Sequence, residues 1–163
     1  MAESNVYQQY RETMFSGADA ALRETDPEFW ERFSRFAFEE VVQQDDLDDR
    51  TRFMAILATL LGCQGIDAFR VMLPATLNFG VTPVEVKEIV YQAVAYLGFG
   101  RVYPFLQAVN EVLAARGVSL PLAGQSTTTP DTRLTAGNQV QVDIFGEGMR
   151  GFQDSGPEES RHI

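Results

Sequence analysis

Apolar residues recur at helical spacing along almost the whole chain, while strict alternation and clusters of β-branched residues are scarce. Such a chain buries one stripe of each helix against its neighbours, so the expected class is all-α, a helical bundle. The helix boundaries are signalled as well. Thr82-Pro83-Val84-Glu85 reads as a capping box with proline at the first helical position, the strongest local signal in the sequence. The helix it opens carries Val84, Ile89, Val90, Ala93, Val94 and Leu97 and stops at Gly98. Gly80, just before the box, is a favoured left-handed stop for the preceding segment.

The same reading extends in both directions. Thr25-Asp26-Pro27-Glu28 supplies an N-cap and a first-turn proline, after which Phe29, Phe33, Phe36, Ala37 and Val41 form one apolar stripe with Trp30 at its edge, running to about Gln43. Asp45 to Asp49 is an acidic turn suited to the positive end of the next helix, and it lacks the glycine and spacing of a calcium loop. Phe53 to Leu61 is apolar all round, which predicts a helix buried on every side but too short to span a bilayer. Ile66 to Phe79 is helical with Pro74 as a kink, and Val102 to Arg116 is helical with Pro104 in its first turn and Gly117 as its stop. Pro121 to Pro130 is turn-rich and uncharged. The expected organisation is a helical domain over residues 1–120, a linker over 121–131, and residues 132–163 as the lead-in of a second repeat. Within that lead-in Gly137, Gly146 and Gly148 weaken a helix from Thr132 to Met149, and Asp154-Ser155-Gly156-Pro157-Glu158-Glu159 looks like a fresh helix start.

Charge and composition narrow the function. The chain has 163 residues with 23 acidic against 13 basic side chains, a net charge of −10, and Lys87 is its single lysine among scattered arginines. No cluster of cations offsets the repulsion of a phosphate backbone or an anionic membrane, so neither nucleic acid nor membrane is an expected partner. Cys63 is the one cysteine, which excludes an intramolecular disulfide and a cysteine-built zinc site, and the one histidine is His162. No metal and no cofactor is expected. The start has no basic region followed by an apolar run, and the expected location is the cytoplasm.

One run of residues carries more than periodicity. Leu47-Asp48-Asp49-Arg50-Thr51-Arg52, then Leu61-Gly62-Cys63, then Leu77-Asn78-Phe79-Gly80-Val81-Thr82-Pro83-Val84-Glu85-Val86-Lys87-Glu88, then Ala93-Val94-Ala95-Tyr96-Leu97-Gly98-Phe99-Gly100, resembles the carboxymuconolactone decarboxylase family, which includes alkylhydroperoxidase D. The resemblance covers about residues 29 to 116 and implies a helical bundle built around a helical hairpin, assembled into trimers or hexamers. The tail resembles the lead-in of the second half of two-repeat members, so the chain resembles the first half of such a tandem.

The redox members of that family use a glutamate, a C-x-x-C pair and a histidine. By position these fall on Thr51, Cys63, Ile66 and Arg70, of which Cys63 alone is kept. A dithiol cycle needs a resolving thiol and a base, so Cys63 by itself is limited to reversible oxidation against a partner thiol, or is a small packed residue at a helix end. The decarboxylating members need no cysteine, and the resemblance implies a metal-free reaction in which a histidine at the place of Arg70 handles an acidic lactone. Arginine binds a carboxylate bidentately but shuttles no proton at neutral pH; equally, Arg70 is a surface cation paired with an acid. Tyr91, Tyr96 and Tyr103 lie on the two helices after the capping box, where they line a pocket or pack in the core with their hydroxyls at the surface. The expected function is that of a carboxymuconolactone decarboxylase-like protein, a peroxiredoxin-type peroxidase or a decarboxylase of a small organic substrate, with reduced activity on its own. Cys63 is the catalytic candidate, and Arg70, Tyr91 and Tyr103 are the substrate-binding candidates. The alternative is a non-catalytic helical scaffold or the oligomerisation half of a tandem protein, and in either case a homo-oligomer (dimer, trimer or hexamer) is the expected assembly.

Overall fold

In the computed structural model, which describes residues 12, 14, 20–44 and 46–155, the chain is all-α, with no strand among the described residues. The helices are α1 (Ala20–Thr25), α2 (Pro27–Arg35), α3 (Asp49–Gly62), α4 (Ile66–Asn78), α5 (Pro83–Leu97), α6 (Phe99–Ala115) and α7 (Arg133–Phe145). No helix of the described residues is long and apolar enough to cross a membrane. Two compact units meet at the Leu122–Ala123 boundary. The first contains α1 to α6 and the second contains α7 followed by 3-10 turns at Glu147–Met149 and Phe152–Asp154.

In the first unit α3 to α6 form a ring of four helices, in which α3 packs on α4 and α5, and α6 packs on the same two. The three-residue connection between α3 and α4 forces these two neighbours to run back on each other, while the four residues between α4 and α5 cross the ring between helices that do not pack together. Phe53, Leu57 and Leu61 from α3, Phe69 and Leu73 from α4, Val86 and Val90 from α5, and Val102, Phe105, Val109 and Leu113 from α6 fill the interior. Phe69 meets Phe105 edge to face at 5.0 Å, and Phe53 stacks on Phe79 at 4.4 Å. Truncating either fully buried ring at 53 or 69 to alanine costs about 3–5 kcal/mol by the usual behaviour of such sites.

The capping box forms as the sequence predicts. The Thr82 backbone N–H donates to Glu85 Oε2 at 2.9 Å, and the Glu85 N–H donates to Thr82 Oγ1 at 3.3 Å. Glu85 also pairs with Arg50, so the start of α5 is tied to the start of α3. Asp48 caps α3 by accepting from the Thr51 N–H at 2.9 Å and the Thr51 hydroxyl at 2.7 Å, and these two bonds hold the Asp48 carboxyl below its ordinary pKa.

Several local expectations are corrected. The face of α2 that goes inward carries Trp30 and Ser34, followed by Phe38, while Phe29, Phe33 and Phe36 stay 59%, 43% and 59% exposed. Trp30, the largest side chain of the segment, fixes the buried side. A single π turn over Phe36–Glu40, closed by the Val41 N–H to the Phe36 carbonyl at 2.9 Å, shifts the α-helical register before Val41. The start of α2 is as read, with Asp26 at the N-cap position before Pro27, and Thr25 ends α1 with its hydroxyl donating to the Ala21 carbonyl. Helix α3 is buried on one side only: Ala55, Ala58 and Thr59 face outward, small or hydrogen-bonded enough to be tolerated there. Helix α6 begins three residues earlier than the proline suggested, because Gly98 at φ 81° ends α5 and caps α6 at once, a reversal that an L side chain resists. Pro104 therefore lies inside α6, where it leaves one carbonyl of the preceding turn without its donor. In the second unit, Gly146 at φ 92° stops α7 short of Met149, and the Asn138 Nδ2 donates to the Met149 carbonyl to fold the tail back. Of the fresh helix start expected over Asp154 to Glu159, Asp154 ends a 3-10 turn and Ser155 follows it, and the rest lies outside the described residues.

Candidate functional site

Cys63 caps the C-terminal end of α3, in the tight turn Cys63-Gln64-Gly65 that leads into α4. Gln64 adopts φ 62°, unusual for a residue with a side chain, and its Nε2 donates to the Leu61 carbonyl at 2.9 Å. The thiol is exposed, with Sγ 3.4 Å from the Leu60 carbonyl, so Cys63 is not packed into the core. Thr51 lies twelve residues earlier on the same continuous helix, which separates the two by about 18 Å along its axis. Its hydroxyl is spent on the Asp48 cap. Ile66 opens α4 one turn before Arg70.

Two cations of different environment are anchored to consecutive residues of α6. Arg70 on α4 reaches Glu111 at 2.5 Å, and both side chains are substantially exposed. An ion pair in that setting contributes about 0–1 kcal/mol, and it leaves most of the guanidinium N–H groups available. Lys87 on α5 is different: it is only 8% exposed, flanked on its helix by the fully buried Val86 and Val90. Its ammonium donates to Asn110 Oδ1 and lies 5.9 Å from the centre of the Tyr91 ring. Burial pushes the Lys87 pKa down from its ordinary value, since removing water disfavours the charged form. The sequence marks Lys87 as the sole lysine and as one position of the run that carries the resemblance, without a role; its place between apolar residues of a core-facing helix is the signal that singles it out.

The tyrosines part company. Tyr91 is half exposed and covers the Lys87 ammonium, whereas Tyr103 on α6 is half exposed and packs against Phe99 at 5.3 Å. Tyr96, largely exposed, belongs instead to an open groove of about 360 Å³ between α3 and α5, with Ala58, Leu61, Gly62, Ile89 and Gln92 among its lining residues. The groove exists because the outward positions of α3 there are Ala58 and Gly62, and Gly62 places it next to Cys63 in sequence. Apart from the Gln92 amide and the Tyr96 hydroxyl it offers apolar surface. Neither Tyr91, Tyr103 nor Arg70 lines it.

Comparison with known proteins adds two findings. The model of the carboxymuconolactone decarboxylase family matches residues 27–111. A 4-carboxymuconolactone decarboxylase of Acinetobacter baylyi (strain ATCC 33305 / BD413 / ADP1) is 31% identical over 98 residues, which are 60% of this chain and 73% of that protein.

Proposed function

Because the chain belongs to the carboxymuconolactone decarboxylase family, we propose that it acts on a small carboxylated organic compound by chemistry that needs no thiol, rather than as a dithiol peroxidase. The observation that carries this reading is the single cysteine. Peroxide reduction by a thiolate leaves a sulfenic acid, and returning that to the thiol within one chain takes a second cysteine. Ile66 and Arg70 occupy the places where the resemblance puts the resolving cysteine and the histidine. Exposed as it is, Cys63 remains open to oxidation from outside but has no partner within its own chain.

The name of the Acinetobacter relative points to a carboxylated lactone as the substrate class. Loss of carbon dioxide from such an acid sends the bonding electron pair toward the lactone carbonyl, and the carbon then takes up a proton. Cationic N–H donors stabilise that developing charge. Arg70 suits this role and the holding of a carboxylate, but its guanidinium supplies no proton at neutral pH, so turnover by the chain alone is slow. The test is to incubate the purified chain with 4-carboxymuconolactone and, separately, with an alkyl hydroperoxide and a dithiol. Carbon dioxide release above the spontaneous rate, unchanged in Cys63→Ser, is the expected result. Multi-turnover hydroperoxide reduction that disappears in Cys63→Ser overturns it.

A second reading, a non-catalytic scaffold that assembles copies of the chain, is favoured by the outward strip of Phe29, Phe33, Phe36 and Val41 on α2 and its π turn. Four large apolar side chains at helical spacing form the kind of patch that soluble chains cover by association. Lactone turnover absent from an assembled, folded chain favours this reading over the first.

A further inference from the structure

We propose that Lys87, Asn110 and Tyr91 form a binding point for the carboxylate of a small organic acid. The choice of a carboxylate over other anions rests on the function proposed above; the site itself rests on how the three side chains are placed.

An ammonium taken out of water is costly unless a counter-charge accompanies it. Lys87 is 8% exposed, and among the described residues no carboxylate lies within ion-pair distance of it. Its contacts are a neutral amide oxygen and the face of a ring. Acids are not scarce in a chain with 23 of them. The nearest in sequence, Glu88, is exposed on α5, and Glu111, next to Asn110 on α6, is engaged by Arg70. The positive charge at Lys87 is therefore left for a ligand to neutralise.

The neighbours complete a set of donors. With Asn110 Oδ1 accepting from the ammonium, the Asn110 Nδ2 hydrogens are left over, and they have no acceptor among the described residues. The Tyr91 hydroxyl likewise has no partner among the described residues, on a side chain half exposed to solvent. Three N–H or O–H groups with no competing carboxylate match the acceptor-only character of an ionised acid. The net charge of −10 repels polyanions at longer range, which favours a small acid over a nucleic acid or a charged lipid surface.

The single lysine makes the test direct. Full-length protein carrying 13C at lysine Cε shows one lysine resonance, and it is titrated with benzoate, with the neutral isostere benzamide, and with chloride and phosphate at equal ionic strength. A saturable shift with benzoate alone is expected, with affinity about tenfold weaker in Asn110→Ala and also reduced in Tyr91→Phe, which keeps the ring. No saturable shift, an equal shift with benzamide or the inorganic anions, or unchanged affinity in Asn110→Ala overturns the proposal. The two readings fail separately: lactone turnover without a benzoate shift removes this site and leaves the function, and a benzoate shift without turnover does the reverse.

Discussion

Replacing Lys87 by methionine tests the energetics of the buried ammonium in the absence of any ligand. Methionine keeps a flexible unbranched stem that fills much of the same space beside Val86 and Val90, and removes the charge together with its bond to Asn110. What the ammonium gains in the fold is one bond to Asn110 Oδ1 and the Tyr91 ring face, and what it loses is part of its hydration, enough to lower its pKa. Replacing even a buried ion pair by apolar groups of similar volume is often neutral or stabilises by about 1–4 kcal/mol, a lysine with no counter-charge has less attraction to lose, and Asn110, being half buried, recovers a water on its freed oxygen. Lys87→Met is therefore expected to be about 1 kcal/mol more stable than the parent at pH 7. The sign of the pH dependence follows from the lowered pKa. Between the folded-state value and the ordinary value of 10.5, the unfolded chain holds more proton at this site than the folded one, so parental stability rises with pH across that window. Below the folded-state pKa both states are charged and the slope vanishes. The slope reaches at most about 1.4 kcal/mol per pH unit. Chemical denaturation of both proteins from pH 7 to 10 isolates this contribution as their difference, which should shrink as pH rises, with the tyrosines and Cys63 common to both. A variant less stable than the parent by more than about 1 kcal/mol at pH 7, with a difference that does not change with pH, refutes the reasoning.

Five further outcomes follow from named contacts. Gly98→Ala is expected to destabilise by about 1–2 kcal/mol, because φ 81° forces the new Cβ against the backbone while nothing else crowds the site; a denaturation midpoint equal to the parent's contradicts the one-residue reversal between α5 and α6. Thr82→Ala removes the cap of α5 and should cost about 1 kcal/mol, read by the same assay, whereas Arg70→Ala at an exposed pair should change stability by less than about 1 kcal/mol. Cys63 should react with a thiol reagent in the native state at nearly the rate seen in denaturant; labelling that waits for unfolding would show a buried thiol. A chain ending at Leu122 should retain cooperative melting, since the buried cluster of the first unit runs from Met14 to Leu113 with Val118 packed against it, and loss of the transition would place core residues beyond 122.

What the sequence made legible was whatever is decided locally. The capping box at Thr82 and Glu85 and the left-handed stop at Gly80 need only residues within a turn of each other, and they stand as read. The α2 stripe went wrong because counting apolar positions cannot choose between faces one residue apart when both are aromatic. Trp30 and Phe38 won the interior from Phe29, Phe33 and Phe36, and the π turn that helps them do so has no composition signal. The apolar run of α3 overstated its burial for a similar reason. In a ring of four helices each helix has one inward side, and Ala55 and Ala58 count as apolar while being small enough to stay outside.

The site was less legible than the fold because motif positions specify identity, while environment decides chemistry. Thr51, Cys63, Ile66 and Arg70 could be placed by position, yet their roles depend on distances that position does not give: a helix holds Thr51 about 18 Å from Cys63, and Glu111, forty-one residues on, occupies Arg70. Lys87 shows the converse. The run that carries the resemblance includes it without giving it a role, but a lysine written between Val86 and Val90 on a helix that buries both valines has its stem drawn inward and its head left to find a partner on α6. That partner, Asn110, stands next to Glu111 in sequence, and the two differ in charge and by one methylene. The acid of the two went to the exposed arginine and the amide to the buried lysine. Pairing the buried ammonium with the acid would have neutralised it and closed the position to any anion from outside. The arrangement as it stands keeps a desolvated positive charge beside free donors, so Asn110→Asp is expected to supply an internal counter-charge and abolish benzoate binding while leaving the bundle folded; benzoate binding that survives this change would show that the ammonium is not what holds the acid.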